Sequence, residues 1–196
     1  MTTGPAPRIA RLLGAAALAL LTTAADARAD LSLFGSYWEN VARATALNDA
    51  SKVRQLVGGG GGNPNDVDDN GRTGLHIAAI NGNLQIAAIL IKAKPHLDVK
   101  DPLGNAPLHL AAERNQIEMA RLLLDVGAAV DPDNRNGMTP LMIAAGRGNI
   151  EIVQMLLAKG ANARKTDFTG RDALGWATDS HRPGVVHVLQ RATAKH

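Results

Sequence analysis

Apolar positions recur along most of the 196-residue chain with a period of 33 residues. Four glycines stand at that same spacing: Gly71, Gly104, Gly137 and Gly170. A leucine and an alanine follow each glycine in register, and two more apolar columns lie later in the unit: Leu75, Leu108, Leu141, Leu174; Ala78, Ala111, Ala144, Ala177; Ile86, Met119, Ile152, Val185; Leu90, Leu123, Leu156, Leu189. A fixed period of this length indicates a repeat protein whose copies stack to bury a continuous core.

Within a unit, the polar and apolar pattern predicts two short helices. Apolar stripes from Leu84 to Leu90 and from Ile150 to Leu156 mark the second helix, because their spacings fit a helical face. Residues suited to the N-cap or first turn of the first helix are Thr73, Pro107, Thr139, Pro140 and Asp172. Glycines expected after the first or the second helix are Gly82, Gly148, Gly127 and Gly160.

These motifs resemble the ankyrin repeat. Residues 72–79, 105–112 and 138–145 are similar to the family pattern Thr-Pro-Leu-His-x-Ala-Ala, and 123–128 and 156–161 match its Leu-Leu-x-x-Gly-Ala. The resemblance implies an all-α solenoid of stacked helix-turn-helix units joined by hairpin tips. It also implies a protein-binding module or scaffold rather than an enzyme.

The predicted organisation is a signal peptide at 1–29 and an ankyrin-repeat domain at 30–196. Its units are a degenerate N-terminal capping repeat at 36–70, three full repeats at 71–103, 104–136 and 137–169, and a C-terminal capping repeat at 170–196. Ser36 and Glu39 have the spacing of a capping box that opens a helix. In the same unit, Gly58 to Gly62 replace the end of the second helix and its turn.

Residues 1–29 are typical of a bacterial-type export signal. Arg8 and Arg11 precede an apolar run of ten residues, and Ala27-Arg28-Ala29 offers a small-x-small cleavage site, with cleavage after Ala27 as a near alternative. The run is too short to span a bilayer. We therefore expect a periplasmic or secreted protein, with cleavage or retention of the leader left open.

Composition removes several classes of function. The chain has no cysteine, which excludes disulfides, cysteine-ligated metals and a cysteine nucleophile. Only 3% of residues are aromatic, too few for a base-stacking platform. Removing three arginines and one aspartate with the leader lowers the net charge from +3 to +1. Neither feature favours a nucleic-acid partner.

No motif assembles a catalytic or metal site. The five glycines lack the Gly-Lys-Ser/Thr of a phosphate-binding loop. Asp66, Asp68 and Asn70 copy the first half of a calcium loop, but its bidentate acid would fall at Ile77. The resemblance implies that His76 and His109 have structural roles between loops. We expect no cofactor and no enzymatic activity, with a calcium- or ligand-binding protein kept as an alternative.

The resemblance implies that a partner binds the hairpin tips and the exposed side of the first helices. The corresponding residues are Arg72, Leu103, Asn105, Arg114, Arg135, Met138, Arg147, Phe168 and Arg171. Leu103, Met138 and Phe168 are unusual for solvated turns, and arginine beside exposed apolar residues is an interface composition. A solvated, unselected loop surface is the competing interpretation. The expected function is a monomeric protein-interaction module of the cell envelope, or an accessory factor for one envelope enzyme.

Overall fold

The computed structural model describes residues 40–59 and 61–194. These residues belong to one compact unit, Asn40–His196. The predicted signal peptide at 1–29 and the capping box of Ser36 and Glu39 lie outside the described residues.

The described residues form ten helices in five consecutive pairs, so the predicted stack of helix-turn-helix units is confirmed. Within them, the only bridge between extended segments joins Val67 and Thr73. The helices are α1 (Val41–Ala46), α2 (Ala50–Val57), α3 (Gly74–Asn81), α4 (Leu84–Lys92), α5 (Pro107–Glu113), α6 (Ile117–Asp125), α7 (Pro140–Arg147), α8 (Ile150–Ala158), α9 (Ala173–Asp179) and α10 (Pro183–Thr193).

Small residues bring the first helices of successive units together. The alanine column at Ala78, Ala111, Ala144 and Ala177 is fully buried. The first helix of each unit packs on that of the next, in the order α1, α3, α5, α7 and α9. The second helices pack on one another in the same way and form a second row. The leucine column from Leu90 to Leu189 is buried between the rows. Since no unit encloses this column alone, the core depends on stacking.

The helix ends follow the residues that the pattern singled out. Thr73 and Asp172 cap their helices with side-chain oxygens, and Pro107 and Pro140 occupy first-turn positions. Gly82 closes α3 in the left-handed conformation, with φ of 68°. The α1 helix begins after Asn40, whose side chain accepts a hydrogen bond from the backbone N–H of Arg43.

The predicted apolar stripe of the second helices is buried only in part. Leu84 and Ile150, the first residues of α4 and α8, are each 40% exposed. The stripe that packs inside begins two residues later, at Ile86 and Ile152.

Candidate partner-binding surface

Each hairpin tip is closed by one polar side chain at its first position. In the tip 101–105, Asp101 Oδ1 accepts hydrogen bonds from the backbone N–H groups of Leu103 and Asn105, both at 2.8 Å. The same pair of contacts is made in the other tips by Asp68, Asn134 and Asp167. Short polar side chains favour such turns because they reach backbone N–H groups just ahead. Our sequence analysis missed this role, although an Asp or Asn precedes each of the four glycines by three residues.

The acidic side chains that close the second and the fourth tip face inward. Asp101 is 8% exposed and Asp167 is 6% exposed. Burial by itself would raise the pKa of Asp167, but hydrogen bonds from Thr169 and Arg171 outweigh it and hold that pKa below its usual value. The Asp167 carboxylate is therefore held in its charged form. Both carboxylates are engaged by hydrogen bonds within their own tips, which leaves the outer surface of these tips to other residues.

Two of the three pairs of neighbouring tips are joined through the main chain. The backbone N–H of Arg135 donates to the carbonyl of Leu103, and that of Phe168 donates to the carbonyl of Asn136, both at 3.1 Å. Proline stands at the matching position in the tip before, so Pro102 has no N–H to donate. Its ring instead lies against Gly71, where an added Cβ would be 2.8 Å from Pro102 Cγ.

These joints produce one continuous exposed surface, which we call the tip strip. It consists of Pro102, Leu103, Arg135, Asn136, Phe168 and Thr169, all of them exposed. Leu103 is 69% exposed and Phe168 is 80% exposed. Exposed apolar side chains held in fixed positions are typical of surfaces that bind a partner.

Two predicted binding residues are not fully presented on this surface. Asn105 is only 8% exposed, and its side-chain oxygen accepts a hydrogen bond from the amide of Asn134 at 3.0 Å. It therefore ties two tips together instead of facing a partner. Met138 is half-buried and packs against the hydrophobic core. The tip positions alone did not reveal this, because the last residue of each tip turns back toward the helix.

The predicted arginines divide into paired and unpaired groups. Arg72 binds Asp68 at 2.8 Å, Arg147 pairs with Glu113, and Arg171 pairs with Asp179 at 3.1 Å. Arg171 also lies 4.2 Å from the centre of the Trp176 ring. The two remaining arginines, Arg114 at the end of α5 and Arg135 in the tip strip, are exposed and form no ion pair with any described residue.

The structural role expected for two histidines is confirmed. His76 Nδ1 accepts the backbone N–H of Thr73 at 3.2 Å, so Nε2 carries the proton and donates to the Asn105 carbonyl at 2.9 Å. His109 reaches the Met138 carbonyl in the same way at 3.0 Å. Burial lowers the pKa of both imidazoles, against the effect of these hydrogen bonds. Both side chains hold neighbouring units together as neutral groups.

The calcium alternative meets a competing use of its ligands. The two carboxylate oxygens of Asp68 accept the backbone N–H groups of Asn70 and Arg72 and the Arg72 guanidinium. Across residues 40–59 and 61–194, no three His, Asp or Glu side chains are grouped so as to hold a metal ion. In the same residues, no helix has the length and apolar character needed to cross a bilayer.

A family model described as ankyrin repeats (3 copies) matches residues 41–134 and 126–195. The matched ranges begin in the first described helical pair and extend through the last. No curated protein matches the chain.

Proposed function

The chain belongs to the ankyrin-repeat family, and from this premise we propose that it is an exported protein that holds a partner protein of the cell envelope on its tip strip. Ankyrin repeats are protein–protein interaction modules and are generally non-enzymatic. The leader pattern of residues 1–29 supports export.

The observation that carries this proposal is the continuity of the tip strip. Leu103, Arg135 and Phe168 come from three successive units, yet main-chain hydrogen bonds connect their tips. The side chain closing each tip holds its backbone in place before any partner arrives. A surface ordered in advance loses little conformational entropy on binding, which favours affinity.

The exposed faces of the first helices extend this surface. Arg114 and Arg147 stand at the ends of α5 and α7, one unit apart, and both are exposed. Arg147 already pairs with Glu113 of the preceding unit, so Arg114 is the residue there that keeps its charge available. We place the main contact on the tips because the large exposed apolar side chains Leu103 and Phe168 lie there.

The test is affinity capture from a cell-envelope extract with the tagged full chain as bait. The double variant Leu103→Asp/Phe168→Asp removes both apolar anchors and leaves the core intact, because both side chains are exposed. Met138→Asp is less suitable, since Met138 packs against the core and its replacement would also lower stability. Leu47→Asp is the matched control, because Leu47 is 76% exposed in the turn after α1.

We expect the wild type and the control to hold the same protein and the double variant to lose it. Circular dichroism and thermal unfolding of all three baits should coincide, so that loss of binding is separated from loss of folding. A partner retained by the folded double variant would remove the tip strip as the binding site. Identical background proteins on every bait would contradict the interaction function itself.

A further inference from the structure

The tip strip carries one uncompensated positive charge between two apolar side chains. The inward carboxylates of Asp101 and Asp167 are engaged by hydrogen bonds within their own tips. Arg135 is exposed and has no ion-pair partner among the described residues. An exposed guanidinium has its donors free for a carboxylate, whose geometry it matches.

Arg135 is also held in place along its stem. A Cβ added to Gly104 would lie 3.0 Å from Arg135 Cγ and 2.6 Å from the Arg135 backbone nitrogen. The start of this side chain therefore rests on the preceding tip, and only its outer part is free to move. Fixing the Arg135 side chain on binding therefore costs less conformational entropy than fixing an arginine whose whole side chain is mobile.

From this juxtaposition we propose that the strip binds an extended acidic segment of the partner, with a carboxylate on Arg135 and apolar side chains on Leu103 and Phe168. The inference rests on the proposed partner binding and adds the chemistry of the partner. Packed helices lie about 8–10 Å apart, and an extended segment in the polyproline II conformation advances about 3.1 Å per residue with about three residues per turn. Each step between tips therefore corresponds to about one turn, or three residues, of bound chain, so that every third side chain faces the strip. The matching pattern is apolar-x-x-acidic-x-x-apolar.

The charges around the strip support an acid opposite Arg135. Arg171, in the last tip with Phe168, is paired with Asp179 and lies beside Trp176. On the other side, Asp69 is the exposed acid of the first tip and pairs with Arg43. Both of these charges are compensated by an ion pair, so among the described residues Arg135 is the unpaired charge beside the two apolar anchors. Complementary charge of this kind fixes the register of a bound segment.

The test is selection from a phage-displayed library of random peptides, each about a dozen residues long, on the full chain. Arg135→Glu is the diagnostic variant, and Arg121→Glu is its matched control. Arg121 belongs to the same unit and is exposed on α6, on the second row of helices. A selected peptide is then synthesised, and its affinity for each protein is measured by fluorescence anisotropy at low and at high salt.

We expect wild type and Arg121→Glu to enrich the apolar-acidic-apolar pattern. Arg135→Glu should bind the selected peptide about tenfold or more weakly, since a hydrogen-bonded charge pair is lost. The same variant should enrich Lys or Arg in place of the acid. Affinity of the wild type should fall with salt, because the pair is at an exposed site.

Several results would overturn the inference. Three of them concern the peptides: a selected pattern that contains no acid, equal binding of the acidic peptide to the wild type and to Arg135→Glu, and no enriched peptide at all. The fourth is a dimer that Leu103→Asp/Phe168→Asp dissociates, which would assign the strip to a second copy of this chain. If envelope capture depends on the apolar anchors but Arg135→Glu retains the partner, partner binding on the strip stands and only its acidic chemistry fails. Capture that depends on neither set of residues would remove both.

Discussion

Phe168 lies so close over Gly137 that a Cβ added to this glycine would be 2.7 Å from Phe168 Cδ1 and 2.9 Å from the Phe168 backbone nitrogen. Gly137 also has a positive φ of 75°. The glycine thus serves both the turn and the joint between two tips. Gly170 has the same backbone conformation, with φ of 82°, but among the described residues no atom beyond its chain neighbours lies within 4 Å of an added Cβ.

These two glycines make a matched pair of alanine substitutions. Gly170→Ala should lower the free energy of unfolding by about 1 kcal/mol, because only the left-handed backbone is strained. Gly137→Ala should cost about 1–3 kcal/mol more, because the tip of Phe168 must move. Urea unfolding measures both. Equal losses would mean that the contact between the tips contributes no stability.

The neutral histidines predict a dependence of stability on pH. Burial lowers the pKa of His76 and His109 below the ordinary value of 6.5, despite the opposing hydrogen bonds to carbonyl groups. The unfolded chain therefore binds more protons than the folded chain once the pH falls below about 6.5, and stability is lost as the pH falls further. We expect a smaller free energy of unfolding at about pH 5.5 than at about pH 7.5. The lowered pKa values of Asp68 and Asp167 act in a more acidic range, below their ordinary 3.8.

The variant His76→Met tests whether His76 is a source of this pH dependence. The third full repeat already has Met142 at this position, with Thr139 as the N-cap. The substitution loses the hydrogen bond to Asn105 and should cost about 1 kcal/mol at about pH 7.5. With His109 alone remaining, the loss between the two pH values should become smaller. An unchanged loss would exclude His76 as a source of the pH dependence.

Asn149 joins its unit to the preceding one through a side-chain hydrogen bond. Its Nδ2 donates to the carbonyl of Ala112 in the preceding unit at 2.7 Å. Asn149→Asp replaces the donor with a carboxylate oxygen, so we expect stability to fall by about 1–3 kcal/mol in chemical denaturation. The same change at exposed Asn136 should stay within about 0.5 kcal/mol. If Asn149→Asp behaved like Asn136→Asp, the joint would carry no stabilising free energy.

Asp167→Asn and Asp101→Asn are the same chemical change, but we expect them to lower the free energy of unfolding by different amounts. Its Oδ1 closes the tip, and its Oδ2 accepts the indole N–H of Trp176 at 2.9 Å. Asp167→Asn keeps one acceptor oxygen, as Asn134 does naturally, and loses the other, which should cost about 1–3 kcal/mol. Asp101→Asn should cost less, because its Oδ2 accepts only a 3.5 Å contact from Asn105. Thermal unfolding compares the two, and Trp176 fluorescence in a Trp38→Phe background reports the last unit.

Much of the fold follows from local sequence rules. The caps at Thr73 and Asp172 are confirmed by their side-chain hydrogen bonds. Gly127 and Gly160 have the positive φ expected after the second helices. The repeat period predicted the succession of helical pairs, because each copy has the same pattern of caps, turns and apolar positions.

Less of the partner-binding surface could be predicted from the sequence. The tip position of Asn105 indicated exposure, but the neighbouring amide of Asn134 covers it. The contact of Phe168 with Gly137 and the joint from Asn149 to Ala112 each depend on the next unit. Such contacts between units depend on how the copies stack, which the helix pattern within one copy does not specify.

The joints between tips also bear on how such a chain can change length. In each joint one residue rests on a glycine of the preceding tip, and two of the three joints add a main-chain hydrogen bond, so the joints depend little on which unit supplies them. Duplication or loss of a gene segment encoding 33 residues would preserve these joints and the register of the core. Each added segment would lengthen the binding surface by one tip whose outward side chains are free to diverge. Recombination can therefore vary what such a protein recognises without reinventing its architecture.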